Sequence, residues 1–148
     1  MSEKPYDATL AWTEGLQFVG KTSQSGIALV LDGSSEHGGA DSGIRPQEAL
    51  LMSLAGCTGM DVISILKKKR QRVTGFWVNA HGTRAEEYPR RFTRIELEYV
   101  VRGWGISKEA VERAIELSQT KYCPVTANLN AEVVYTYRIE EETVPEER

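Results

Sequence analysis

Between Ala49 and Leu66 the chain carries a run that reads as a helix apolar nearly all round, closed by the polar stretch Lys67-Lys68-Lys69-Arg70. Pro46 stands where its fixed φ suits a first helical turn, and the basic finish favours a helix C-terminus. A helix without a wide polar face needs cover on every side. The strands and the one further helix that the rest of the chain offers supply that cover poorly, so this run predicts a homodimer in which a second copy contributes.

Around this helix the pattern changes to strands. Tyr6, Ala8, Leu10 and Trp12 alternate on one face, Glu14-Gly15 marks a turn, Leu16, Phe18 and Val19 resume, and Ile27 to Leu31 is a third strand. Residues 32–45 are rich in Gly, Ser and Asp and predict a loop, the segment freest to move. After the long helix, Val73 to Thr83 and Phe92 to Val101 form a hairpin with a polar turn around Glu86, Glu87 and Pro89. Ser107 caps a second helix that carries Val111, Ala114, Ile115 and Ser118 towards Tyr122. Pro124 restarts a short helical turn, Val133 to Ile139 alternates as a last strand, and the acidic tail Glu140 to Arg148 is expected to fray. This order, three strands, long helix, two strands, helix, strand, has no regular βαβ rhythm and defines an α+β class.

Length and charge narrow the functions. With 148 residues, 41% of them hydrophobic, the chain is expected to be a single domain over 1–148. A net charge of −3 supplies no basic field for nucleic acid or an anionic membrane surface, so neither is expected as a partner. No window reads as the ~20 apolar residues of a membrane span, and the polar start Met1-Ser-Glu-Lys-Pro predicts a cytoplasmic protein. Two cysteines and two histidines are too few for a zinc cluster, and His37 and His81 read as structural or solvated. No cofactor and no metal is predicted.

Chemistry therefore falls to the cysteines. Cys57 lies in Ser53-Leu54-Ala55-Gly56-Cys57-Thr58-Gly59-Met60, inside the apolar helix and beside two glycines that admit another backbone or a ligand. Taken alone it reads first as a small core residue, the commonest place for a free cysteine. Cys123 stands directly before Pro124, at the N-cap of the next turn, where free N–H groups and the helix dipole favour a thiolate; the alternative is a cysteine that merely closes a helix.

The stretch Gly43-Ile-Arg-Pro-Gln-Glu-Ala-Leu-Leu-Met-Ser-Leu-Ala-Gly-Cys57 and the later Ala114-Ile-Glu-Leu-Ser-Gln-Thr-Lys-Tyr-Cys123-Pro124-Val resemble the paired cysteine signatures of the OsmC/Ohr family. Trp12-Thr-Glu-Gly-Leu-Gln-Phe-Val-Gly20 and Asp61-Val-Ile-Ser-Ile-Leu-Lys-Lys-Lys-Arg70 are closer to its YhfA-type branch. The resemblance implies an intertwined homodimer with long helices at its centre and active sites at the interface. It also implies a thiol peroxidase acting on organic hydroperoxides, and less efficiently on hydrogen peroxide, in oxidative or osmotic stress defence. Cys57 is then the peroxidatic thiolate, Cys123 the resolving thiol, and a dithiol reductant closes the cycle. Leu50, Leu51, Leu54 and Met60 suit an apolar tail on the substrate.

Peroxidases of this family use an arginine from the N-terminal strands, paired with a glutamate directly after the helix-starting proline. Here no arginine precedes Arg45, and Gln47 rather than Glu48 follows Pro46. Arg45, oriented by Glu48, is the substitute pair that the sequence offers. Glu48 and Cys57 are nine positions apart on an ideal helix, about half a revolution and ~13 Å, so they can cooperate only if Glu48 serves the partner's site; the alternative is that Arg45 is a loop charge and Glu48 a first-turn acid favoured by the helix dipole. The missing early arginine leaves a second reading: a thiol redox sensor or a small-molecule-binding dimer on the same fold.

Overall fold

The computed structural model describes residues 4–143, and the end of the acidic tail lies outside these. The chain divides into two compact units, Met1–Leu50 and Leu51–Arg148.

In the first unit, β1 (Ala8–Glu14), β2 (Gln17–Thr22) and β3 (Ala28–Leu31) form an antiparallel meander in that order. Gly15 makes the first turn with φ of 54°, a backbone conformation that side chains rarely adopt. The third strand starts one residue later than expected, at Ala28, and leaves Ile27 exposed. The predicted alternation is present, yet every residue of β1 is exposed on both faces.

The following loop corrects the expectation of a free segment. Buried Asp32 accepts backbone N–H groups of Gly33 (2.7 Å), Ala40 (3.1 Å) and Ser42 (3.1 Å) and the hydroxyl of Ser42 (2.6 Å). These bonds draw the carboxyl down to about pKa 2, with the Ser42 hydroxyl the largest cause. Gly39 crosses so close to Gly33 that a Cβ there would stand 2.0 Å from its carbonyl oxygen. The small residues that read as a flexible linker thus permit a tight fold of backbone organised by one acid.

Helix α1 (Pro46–Lys68) begins at the first unit's end and runs through the start of the second. There Leu54, Thr58, Gly59, Val62 and Leu66 are buried, a stripe at helical spacing. By length and mean hydropathy α1 also meets the measure of a membrane span, which corrects the reading that no window does. Its buried stripe, packed on strands and carrying a hydrogen-bonded threonine, is that of a core helix.

The sheet of the second unit pairs β4 (Arg72–Arg84) antiparallel with β5 (Phe92–Trp104), and β5 parallel with β6 (Glu132–Glu141). Ile95, Leu97, Tyr99 and Val101 of β5 are buried, and with Leu54 and Val62 of α1 and Ile115 of α2 (Lys108–Leu117) they belong to one core cluster. Ser107 caps α2 as expected, its Oγ accepting the Ala110 N–H at 3.2 Å. A turn of π-helix over Ser118–Tyr122 follows, and α3 (Pro124–Ala127) is a single turn. Strand β6 reaches further than expected: Glu140 and Glu141 belong to it, and Arg102 holds Glu140 at 2.8 Å.

Candidate functional site

The second unit brings the two cysteines together. Cys57 comes from the middle of α1 and is half-buried; Cys123 is the N-cap of α3 and is buried; both are free thiols. Cys57 packs against the core cluster that holds Cys123, near enough for the Cys123 side chain to act on the Cys57 thiol. The predicted cap is formed, because Cys123 takes φ −78° and ψ 102° and its sulfur accepts the Thr126 N–H at 3.4 Å.

The first turn of α3 serves both sulfurs. Pro124 at its start has no N–H to offer, and the next two amides divide between the thiols: that of Thr126 donates to Cys123 Sγ, and that of Val125 acts on Cys57 to favour its thiolate. Burial nevertheless raises the Cys57 thiol above its ordinary pKa, helped by the neighbouring Cys123 and the charge of Asp61, and the Val125 amide offsets this only in part. Cys57 holds its proton more tightly than a solvated thiol does.

The two glycines beside Cys57 differ. A Cβ on Gly59 would stand 3.4 Å from Cγ2 of Val78, so Gly59 lets α1 lie close on β4, while a Cβ on Gly56 would meet nothing within 4 Å. Room beside the sulfur is therefore on the Gly56 side.

Arg45 and Glu48 meet each other in the first unit. Arg45 is the N-cap of α1, its carbonyl accepting the Ala49 N–H at 2.9 Å, and Glu48 reaches back to accept the Arg45 N–H at 2.9 Å, one half of a capping box. The Arg45 guanidinium donates to the Gly43 carbonyl at 3.0 Å and to the Asp41 carboxylate. Both partners of that ion pair are solvent-accessible, so the contact is screened and readily exchanged.

One group of residues escaped the sequence reading. Thr58, Tyr99 and Ser118 are all fully buried, and the Thr58 hydroxyl is hydrogen-bonded to both the Tyr99 and the Ser118 hydroxyls at 2.7 Å. Ser118 donates to Asp61 at 2.8 Å, and Gln119 Nε2 donates to Tyr99 at 2.9 Å and to Thr58 at 3.1 Å. Burial raises the Tyr99 phenol above its ordinary pKa, which keeps it a neutral donor. The available signal was Asp61 itself, a lone acid inside an apolar helix.

Two adjacent thiols, one in a long helix and one at the cap of the turn packed beside it, on an α+β scaffold, define a dithiol protein. The chain belongs to the OsmC-like family, whose profile matches residues 38–138. It is 41% identical to Protein YhfA of Escherichia coli strain K12 over 133 residues, covering 90% of this chain and 96% of that one. Among solved structures it is similar to a hypothetical protein from Aquifex aeolicus VF5, at 29% identity and a TM-score of 0.83, covering 95% and 100% of the two chains. An organic hydroperoxide resistance protein from Elizabethkingia anophelis shares the fold at 16% identity and a TM-score of 0.65, with 95% and 99% covered.

Proposed function

We propose that the chain is a thiol-dependent hydroperoxide reductase in which Cys57 is oxidised and Cys123 resolves it. The observation that carries this reading is that two cysteines far apart in sequence come together in one core, where Cys123 caps the α3 turn through the Thr126 amide and acts on the Cys57 thiol beside it. In the proposed cycle the Cys57 thiolate attacks the terminal oxygen of an organic hydroperoxide. The O–O bond breaks, the alkoxide leaves and takes a proton as the alcohol, and sulfur is oxidised by two electrons to sulfenic acid. Cys123 then attacks that sulfur and water departs, leaving a disulfide. A dithiol reductant exchanges with it, regenerating both thiols and becoming a disulfide itself. Hydrogen peroxide fits the same steps, with water as the leaving product. The organic hydroperoxide resistance protein that shares the fold supports this substrate class.

Arg45 and Glu48 complete the proposed catalytic set. A raised Cys57 pKa calls for a cation at the moment of attack, and Arg45, always charged and held by an exchangeable ion pair with Asp41, is the candidate to supply it, oriented by Glu48. The homodimer belongs to the same reading. Trp12 is 65% exposed, Ile27 72% and Met60 73% within one chain, which favours apolar cover by a second copy. A single domain over residues 1–148 and a cytoplasmic setting, in which thiols stay reduced, belong to the same reading.

Stopped-flow consumption of cumene hydroperoxide by the reduced protein tests the proposal. The parent should consume peroxide with loss of both thiols. Cys57→Ser should consume none, Cys123→Ser should consume one equivalent and stop at Cys57 sulfenic acid with no disulfide, and Arg45→Ala and Glu48→Gln should slow the first step. The raised Cys57 pKa favours a second reading, a slow redox sensor. A reaction that keeps accelerating with pH beyond the ordinary thiol range, and that is unaltered by Arg45→Ala, would select it.

A further inference from the structure

The buried polar group beside the thiols has a direction. Ser118 spends its only hydroxyl proton on Asp61. Its bond to Thr58 must therefore be donated by Thr58, and the bond between Thr58 and Tyr99 must be donated by Tyr99. Gln119 closes the chain by donating Nε2 to Tyr99 and to Thr58. Every hydroxyl proton thus points towards one carboxylate, and no donor is left over.

The two ends of this chain lie at the two thiols. Asp61 is one helical turn beyond Cys57 on α1 and its charge acts on that sulfur. At the other end, Gln119 Oε1 accepts the Thr126 hydroxyl at 3.4 Å, and the Thr126 amide bonds Cys123. The π-helical turn Ser118–Tyr122 supplies both Ser118 and Gln119 and leads directly into Cys123. Single π turns are rare in helices and frequently lie at functional sites.

We infer that Asp61 is a positioning residue for the thiol pair: it terminates the one-way chain through Ser118, Thr58, Tyr99 and Gln119 that holds the Cys123-bearing turn against Cys57. This rests on the dithiol reading given above and adds the device that sets its geometry. A second consequence follows from charge. The groups facing Cys57 are Asp61 from α1, Cys123, and the Val125 amide from α3, with the neutral Tyr99 of β5 next to Cys123. Asp61 is the fixed anion among them, so it opposes the Cys57 thiolate while it fixes Cys123. Geometry and charge can be separated by substitution.

The test uses the full chain and needs no peroxide. The Cys57–Cys123 disulfide is equilibrated against reduced and oxidised glutathione to give an effective concentration for the pair, and Cys57 alkylation by iodoacetamide is followed against pH in Cys123→Ser and in its double variants. Asp61→Asn keeps an acceptor for Ser118 and loses the charge, so the alkylation profile should move to lower pH while the effective concentration changes little. Ser118→Ala keeps the charge and breaks the chain, so the effective concentration should fall at least about tenfold, the scale of one hydrogen bond to a charged group, with no shift of the alkylation profile. An unchanged effective concentration in Ser118→Ala, or an unchanged alkylation profile in Asp61→Asn, overturns the inference. If Ser118→Ala does not fold, Gln119→Leu interrupts the chain at its other end and is read in the same way. Should the parent form this disulfide yet consume no hydroperoxide, the peroxidase reading falls and the role of Asp61 stands.

Discussion

The two units of this chain bury their residues in opposite ways. Among the described residues of the first, one alone is buried, and it is the acid Asp32; the second holds the whole apolar core, with Leu54, Val62, Tyr99 and Ile115 sealed completely. The first nonetheless carries Trp12, Phe18, Ile27 and Leu29. A three-stranded sheet with apolar residues open to water is marginal by itself. The contrast teaches that the second unit is shaped by what it buries internally, and the first by hydrogen bonds to one carboxylate and by apolar groups presented outwards.

Substitutions can break that contrast. The largest effect is expected in the core, where Leu54→Ala removes a sealed side chain and should cost about 2–5 kcal/mol in chemical denaturation. Trp12→Ala should cost nearly nothing in a chain that stays alone, since the ring is mostly exposed, yet about 3–5 kcal/mol if a second copy covers it. Sedimentation and denaturation at two protein concentrations distinguish these outcomes, and the dimer reading requires the larger one.

Asp32 gives a pH signature to the first unit. Its carboxyl is drawn down to about pKa 2, below the value of ~3.9 in an unfolded chain, so the stabilisation is complete above that value and disappears as pH falls through about 2. Protection of the Ala40 and Ser42 amides against hydrogen exchange, taken relative to the intrinsic rate at each pH, should fall over this window in the parent. In Asp32→Asn that protection should already be low at neutral pH and vary little with acid. Gly56 and Gly59 supply the smallest contrast. Gly56→Ala should stabilise the chain by ~0.5–1 kcal/mol, because the added Cβ meets nothing and helix propensity improves, whereas Gly59→Ala should gain less against Val78. Loss of stability in Gly56→Ala that grows with protein concentration would mean that the partner packs there.

Much of this was legible in the sequence because local rules and tertiary structure agree. Pro46, Ser107 and the Cys123-Pro124 step mark helix starts by chemistry that acts within one turn, and all three hold. The alternation of β5 likewise follows from a face that is buried. Three features were hidden for stated reasons. The parallel pairing of β6 on β5 depends on a crossover that no local pattern encodes. The order in the loop at 32–45 comes from a single acid bonding backbone up to ten residues ahead, which composition cannot register. Thr58 and Ser118 stand on two helices far apart in sequence, and only their meeting across the core with Tyr99 makes them a network.

The site was half legible. The cysteines and the cap of Cys123 were apparent; the Val125 amide on Cys57 was not, because a backbone donor has no signature in side-chain identity. Arg45 and Glu48 were read as a guanidinium and the carboxylate that orients it; in the structure Glu48 takes the Arg45 backbone N–H as part of the cap of α1, and the guanidinium goes to Asp41 and the Gly43 carbonyl.

The most direct test of the dithiol account is to treat the reduced protein with one equivalent of cumene hydroperoxide, block remaining thiols, and map its peptides by mass spectrometry without reduction. The account predicts a single species in which the peptides carrying Cys57 and Cys123 are joined by a disulfide. Recovery of both cysteines as blocked thiols, or of Cys57 over-oxidised with Cys123 untouched, would contradict it.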